Sequence, residues 1–327
     1  MAVAPPTPKP RRAVMIPLSI AASVLLIAGV ALLVNRPPRP SPPVTTTVAL
    51  RNEASAPAAV RTAATALVSV APSAGGPAHD GMVLNPPTLV VTSDAETPGT
   101  DVVVTSQTGQ HEGAVVVGHD PTSGVSVLSL DHAMTPTSPT LASTAAVGPV
   151  DEVTLRSSPQ GRPSVGWAPS QVGPAQTAPL KDGSMIGELT PSSTIASSSG
   201  EVMVSPAGEV EAMSTPALGK NAFLPASVVE ALATQMRDGA APSHARLGIT
   251  GATSPQGVKV DSVEADGAAA GILKAGDVIT RFDAQPVSSM PLLLDDLYGA
   301  PAGSDAQITF ERSGQQQQAA LTLGKAP

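Results

Sequence analysis

No cysteine occurs in the 327 residues, so disulfide staples and thiol chemistry are excluded from the outset. Aromatic side chains are nearly missing too: one Trp, one Tyr and three Phe, 2% of the chain. Any core must therefore be assembled from Val, Leu, Ile and Ala, which suit strands covered on both faces. Charge is scarce, at 13% of residues against a usual quarter. The balance is acidic, net −8, with neither a basic stripe nor an aromatic platform beyond the N-terminus, which argues against nucleic acid as a partner. The five histidines lie far apart in sequence without metal-ligand spacing, and the glycine-rich run 75–81 has no strand–helix context. Neither a metal nor a phosphate-bearing cofactor is expected.

What the chain has in quantity is proline, 35 residues, and glycine, 29, which implies many turns and a disordered linker. The length accommodates two ordinary domains and a leader. Residues 13–34 form one apolar run, interrupted only by Pro17, Ser19, Ser23 and Gly29. About 20 such residues span a bilayer as a helix. Lys9, Arg11 and Arg12 precede the run, while Arg36 and Arg39 follow it. That asymmetry favours a cytoplasmic tail at 1–12, a transmembrane helix at 13–34 and an extracytoplasmic remainder. A cleaved secretory signal would need a small-residue site before a polar segment. Residues 35–40 are charged and proline-rich instead, so an uncleaved anchor is favoured. The stretch 35–55 reads as a stiff spacer, with Pro37, Pro38, Pro40, Pro42 and Pro43 close together.

Short apolar runs between turn signals follow, at 88–91, 101–105, 113–117, 125–130, 152–155, 184–189 and 201–205. This spacing predicts an all-β sandwich or barrel. Val228, Val229, Leu232, Ala233 and Met236 recur at helical spacing and predict a closing helix over 226–237. After a short linker at 238–243, the pattern predicts an α+β module: strands at 246–250, 257–263, 277–282, 305–312 and 318–323, helices at 268–273 and 291–298, and Gly314 in the last hairpin turn.

Residues 246–249 read R-L-G-I, and 266–279 read D-G-A-A-A-G-I-L-K-A-G-D-V-I. In this order they resemble the PDZ domains of the HtrA/Deg family, with a glycine loop between apolar residues and a later A-G-L-x-x-G-D-x-I segment. The resemblance implies a PDZ domain over 244–325 that binds peptides or protein C-termini. Backbone N–H groups at Gly248 and Ile249 would receive a terminal carboxylate as a nest does. Leu247 and Ile249 would line the pocket for the last side chain, Arg246 would add attraction, and Leu293, Leu294 and Leu297 would form the groove wall. Gly271, Gly276 and Asp277 read as residues of turn and fold.

Upstream, four stretches resemble the chymotrypsin-like protease domain of the same family: 81–95 (G-M-V-L-N-P-P-T-L-V-V-T-S-D-A), 118–128 (G-H-D-P-T-S-G-V-S-V-L), 197–213 (S-S-S-G-E-V-M-V-S-P-A-G-E-V-E-A-M) and 221–227 (N-A-F-L-P-A-S). The resemblance implies a double β-barrel over 56–240. It also places Ala95 at the catalytic histidine, Gly124 at the catalytic aspartate and Ser199 at the nucleophile. A serine hydroxyl attacks an amide only when an imidazole takes its proton and a carboxylate orients that imidazole. Ala95 and Gly124 do neither, and Ser197 replaces the glycine expected at the oxyanion hole. The expectation is a trypsin-like domain that has lost catalysis, acting as a scaffold or sensor in envelope protein quality control. An active endopeptidase with an unconventional base at Ser199, His79 among the candidates, stays open beside it.

Overall fold

The computed structural model describes residues 46–93, 97–135, 138–143, 148–157, 163–194, 199–219 and 221–326. The anchor expected at 13–34, the tail before it and most of the spacer lie outside the described residues, as do Ala95 and Ser197. Among the described residues no helix is long and apolar enough to cross a membrane. Residues Val44–Pro327 form one compact unit.

The first half closes on itself. Strands β1 (Leu67–Pro72), β2 (His79–Val83), β3 (Leu89–Thr92), β4 (Asp101–Ser106), β5 (His111–His119) and β6 (Ser126–Leu130) form a closed barrel in the order β1-β2-β3-β6-β5-β4. Alternation builds it: along β4, Val102, Val104 and Ser106 are buried while Asp101 is exposed. Its interior is made of Val68, Val70, Val83, Val90, Val102, Val104 and Val116 with a few Leu and Ala, the small-residue core that the aromatic-poor composition requires. A short helix, α1 (Ala58–Ala64), precedes β1 and contributes Val60 to the neighbouring core.

The second half is a six-stranded sheet of β7 (Gly148–Ser157), β8 (Pro163–Val172), β11 (Val202–Val204), β12 (Val210–Ser214), β13 (Phe223–Pro225) and the pair Arg51–Asn52. Its order is β13-β12-β11-β7-β8-(Arg51–Asn52). A two-stranded hairpin of β9 (Gln176–Pro179) and β10 (Met185–Glu188) lies beside it, and just past β10 Leu189 bridges Phe223 of β13 while Pro191 bridges Val172 of β8. The chain just after β10 therefore touches β13 at one edge of the sheet and β8 near the other, so the hairpin joins the sheet on both sides. Helix α2 (Ala226–Met236) packs its apolar face into the shared core, as its periodicity predicts.

The C-terminal module begins with β14 (Ala245–Arg246). Strands β15 (Ile249–Ser254), β16 (Gly257–Val263), β17 (Val278–Phe282), β18 (Asp305–Arg312) and β19 (Gln315–Thr322) follow one another across a sheet, with helix α3 (Met290–Gly299) between β17 and β18. Strand β20 (Gly324–Lys325) returns to pair with β14. The helix expected at 268–273 is instead a series of turns, in which the Ala269 carbonyl accepts from both Ile272 and Leu273 amides. Gly271, at φ +76°, ends the first turn before a helix develops. Asp277 accepts from the Lys274 amide (2.7 Å) and forms a two-pronged pair with Arg312 (2.7 and 2.8 Å), so its part is to close the fold.

Candidate functional site

All seven residues marked in the sequence for peptide binding, Arg246, Leu247, Gly248, Ile249, Leu293, Leu294 and Leu297, line one cavity of about 180 Å³. That volume falls below the size of a drug-like ligand site and suits a single side chain with its carboxylate. The cavity opens where β15 leaves the glycine loop. β15 lies at the end of its sheet, so among the described strands its outer edge carries no partner. Helix α3 faces that edge, and a second cavity of about 630 Å³ continues past Gly251, Thr253 and Met290. Cleft and free edge together provide what an added peptide strand needs: a ladder of backbone groups and pockets for alternate side chains.

The glycine loop has a physical reason for its glycine. Gly248 sits at φ +71°, and a Cβ there would lie 2.6 Å from the Gly267 Cα. Its carbonyl accepts from the Glu264 amide (2.8 Å), and the Leu247 carbonyl accepts from the Ala269 amide (2.9 Å), so the loop is braced from behind. Arg246 does not stand free: its Nη2 donates to Glu264 Oε2 at 2.5 Å, a partly exposed pair. The guanidinium thereby offsets a carboxylate that would otherwise repel an incoming anion.

Sequence reasoning missed the contribution of the other domain. Gly183, Ser184 and Met185, from the turn between β9 and β10, line the same small cavity, and Gln176 and Thr177 of β9 line the larger one. The hairpin is locked to α3 by Asp295, which accepts from the Gly187 amide at 2.8 Å. A Cβ at residue 187 would fall 2.6 Å from both Asp295 oxygens, so the contact requires glycine. Burial pushes the Asp295 carboxyl up to about 8 despite that hydrogen bond, and Asp296 adds repulsion. The acid form therefore stabilises the folded chain. This contribution is complete below the ordinary carboxylate value of 3.8 and is lost as pH rises through about 8. We expect thermal melts of Asp295→Asn to depend less steeply on pH between 5 and 8 than those of the native chain; parallel slopes would refute the assignment.

The loci that the resemblance marks for catalysis do converge. Ser199 and Gly200 form the turn before β11, and the Ser199 carbonyl accepts from the Asp80 amide of β2 (3.0 Å). Thr92, at the end of β3, donates to the Asp80 carbonyl (2.8 Å), which brings the end of the strand before the expected histidine position to the serine turn. The Gly200 amide reaches the Ser214 carbonyl (3.4 Å), and the next residue, Thr215, donates to the Ser123 carbonyl beside Gly124. Gly124 itself has φ +76°, and a Cβ there would stand 3.0 Å from Thr215 Oγ1. His111 meets Thr105, His119 meets Ser126 and His132 meets Glu112. Asp80 does structural work: its buried Oδ2 accepts from Thr154 Oγ1 (2.6 Å) and the Leu155 amide (2.8 Å), fastening the barrel to β7. Among the described residues no cluster of His, Asp or Glu has the arrangement to hold a metal ion.

A β-rich trypsin-like domain followed by a PDZ domain is the class this architecture defines, and the comparisons agree. The PDZ domain family matches residues 245–323. The HtrA-type protease AlgW, solved with a tripeptide, is similar in fold, with a TM-score of 0.52 and 20% identity over 82% of this chain and 96% of that one. A serine endoprotease from Yersinia pestis aligns over 82% of this chain and 97% of its own, with 24% identity and a TM-score of 0.45. No curated protein sequence matches. The HtrA/Deg resemblance read from the sequence is borne out at the level of fold.

Proposed function

We propose that the chain is a membrane-anchored, extracytoplasmic pseudoprotease. It captures peptides or protein C-termini in its PDZ groove and serves as a scaffold or sensor in envelope protein quality control. The observation that carries this reading is the cavity between the glycine loop and α3, beside the unpaired edge of β15. The related fold solved with a tripeptide supports it. The loss of catalysis rests on Ala95 and Gly124 at the positions where the resemblance expects a base and its orienting carboxylate. The anchor rests on the apolar run 13–34. A library of peptides with free C-termini, titrated against the full chain, tests the ligand class. Saturable binding that disappears on C-terminal amidation is expected, and equal binding of amidated peptides would sink it.

The active-peptidase reading keeps one observation in its favour: His79 is the chain neighbour of Asp80, whose amide bonds the Ser199 carbonyl. It requires a fluorophosphonate probe to label Ser199 in the presence of a bound peptide. We expect no labelling, and a Ser199-dependent adduct would favour the enzyme.

A further inference from the structure

At the junction of the two domains, His244 is clasped between acceptors on both sides. Its Nε2 lies 3.2 Å from Asp120 Oδ1, in the loop between β5 and β6, and its Nδ1 lies 3.0 Å from the Tyr298 carbonyl on α3. The ring stacks on that of Tyr298, with centroids 3.7 Å apart and planes at 13°. Tyr298 Oη in turn donates to Asp120 Oδ2 (2.8 Å), which also accepts from Ser123 Oγ (2.5 Å). Asp120 and Tyr298 are buried, and His244 is 9% exposed. A neutral imidazole has one N–H and one lone pair, whereas the imidazolium has two N–H groups. A carbonyl and a carboxylate can only accept, so both contacts form together only when the ring is charged. The stacked phenol ring favours the same cation.

We propose that His244 is a protonation-controlled latch: it braces the PDZ domain against the trypsin-like domain while its ring carries both protons, and when one leaves it gives up one of its two contacts, so that α3 is held to the β5–β6 loop more loosely, chiefly through the Tyr298–Asp120 bond. The loop concerned is the one in which Gly124 stands at the lost catalytic aspartate, so a locus emptied of chemistry serves as an anchor. The ionisable surroundings are one-sided. Asp120 faces the ring from the β5–β6 loop, Asp182 acts on it from the β9–β10 turn, and the Tyr298 phenol lies on α3. Among nearby cations along the chain, Arg246 is held by Glu264, and Lys181 and Lys325 are not among the groups acting on the imidazole. Burial alone would lower the proton affinity of His244, but the hydrogen bond and charge of Asp120, then the Tyr298 carbonyl and Asp182, raise it above the ordinary 6.5. Asp120 is itself opposed by burial, yet the bonds from His244 and Ser123 bring it down to about 2, so it stays a carboxylate across the working range. The sign follows: the latch is complete below pH 6.5 and is lost as pH rises through the raised value of His244.

The test uses the full chain in detergent. Ring-proton NMR of His244 should show titration above 6.5. Hydrogen exchange in the loop 120–125 and in α3, corrected for its intrinsic rise with pH, should accelerate about ten- to a hundredfold across that titration, the loss of one charge-assisted hydrogen bond. His244→Gln should exchange fast at every pH, without the transition. Asp120→Asn should lower the His244 value in the folded chain, a readout that survives if the glutamine variant does not fold. Titration of His244 at or below 6.5, or a wild-type transition persisting in His244→Gln, would overturn the latch. Neither measurement involves a peptide, so failure here is distinct from failure of the binding reading.

Discussion

Gly248→Asp is expected to reduce the affinity for peptides with a free C-terminus by about a hundredfold or more, the effect of a like charge placed against the ligand. Two features set this size. A side chain at residue 248 enters space 2.6 Å from the Gly267 Cα, at a φ of +71° that suits glycine, so the loop must move. The added carboxylate also joins Glu264, whose Oε2 lies 3.3 Å from the would-be Cβ and is offset by Arg246 alone. Leu294→Ala provides a milder control. It removes part of the groove wall from a half-buried position and should weaken binding about tenfold while the fold persists. Isothermal titration against one peptide from the library measures both. Unchanged affinity in Gly248→Asp would show that the glycine loop does not receive the carboxylate.

Gly200→Ala is expected to destabilise the chain by about 3 kcal/mol or more, roughly 6–12 °C in Tm for a body of this size. A Cβ at residue 200 would fall 2.0 Å from the Asp80 carbonyl oxygen, at φ +86°. The strap from the Asp80 amide to the Ser199 carbonyl would have to break, and Asp80 is also the residue that ties the barrel to β7 through Thr154 and Leu155. Ser199→Ala touches none of this and should change stability by less than about 0.5 kcal/mol. The contrast between neighbours is the informative result, because it separates what the turn does for packing from what the Ser199 hydroxyl does. Equal Tm values for the two variants would contradict the packing described.

Much of the fold was legible where patterns are local. The alternation of Asp101–Ser106 and the helical repeat of Ala226–Met236 predict what is observed. The final hairpin was equally clear, with Ser313 and Gly314 both at positive φ between paired Arg312 and Gln315. Pro163–Val172 was not legible, because Pro163 and Pro169 read as turn signals. They are tolerated since β8 pairs beyond β7 at Gly166, Trp167 and Val172, positions that neither proline occupies. The glycine loop of the PDZ domain could be found because its meaning is carried by four consecutive residues. The hairpin wall and the junction could not. Gly187 and Asp295 are 108 residues apart, and Asp120 and Tyr298 are 178 apart. Each is an ordinary residue until tertiary structure removes the water around it. The nearest thing to a signal was scarcity: in a chain with one tyrosine and few charges, a buried Asp–His–Tyr cluster accounts for a notable share of both.

The most direct test of the central claim combines binding and turnover in one sample: the full chain incubated with saturating free-carboxylate peptide and an unfolded protein substrate, followed by mass spectrometry. We expect the peptide to be retained at the PDZ groove and every substrate bond to remain intact, with native chain and Ser199→Ala indistinguishable. New termini that appear with the native chain and vanish in Ser199→Ala would contradict it.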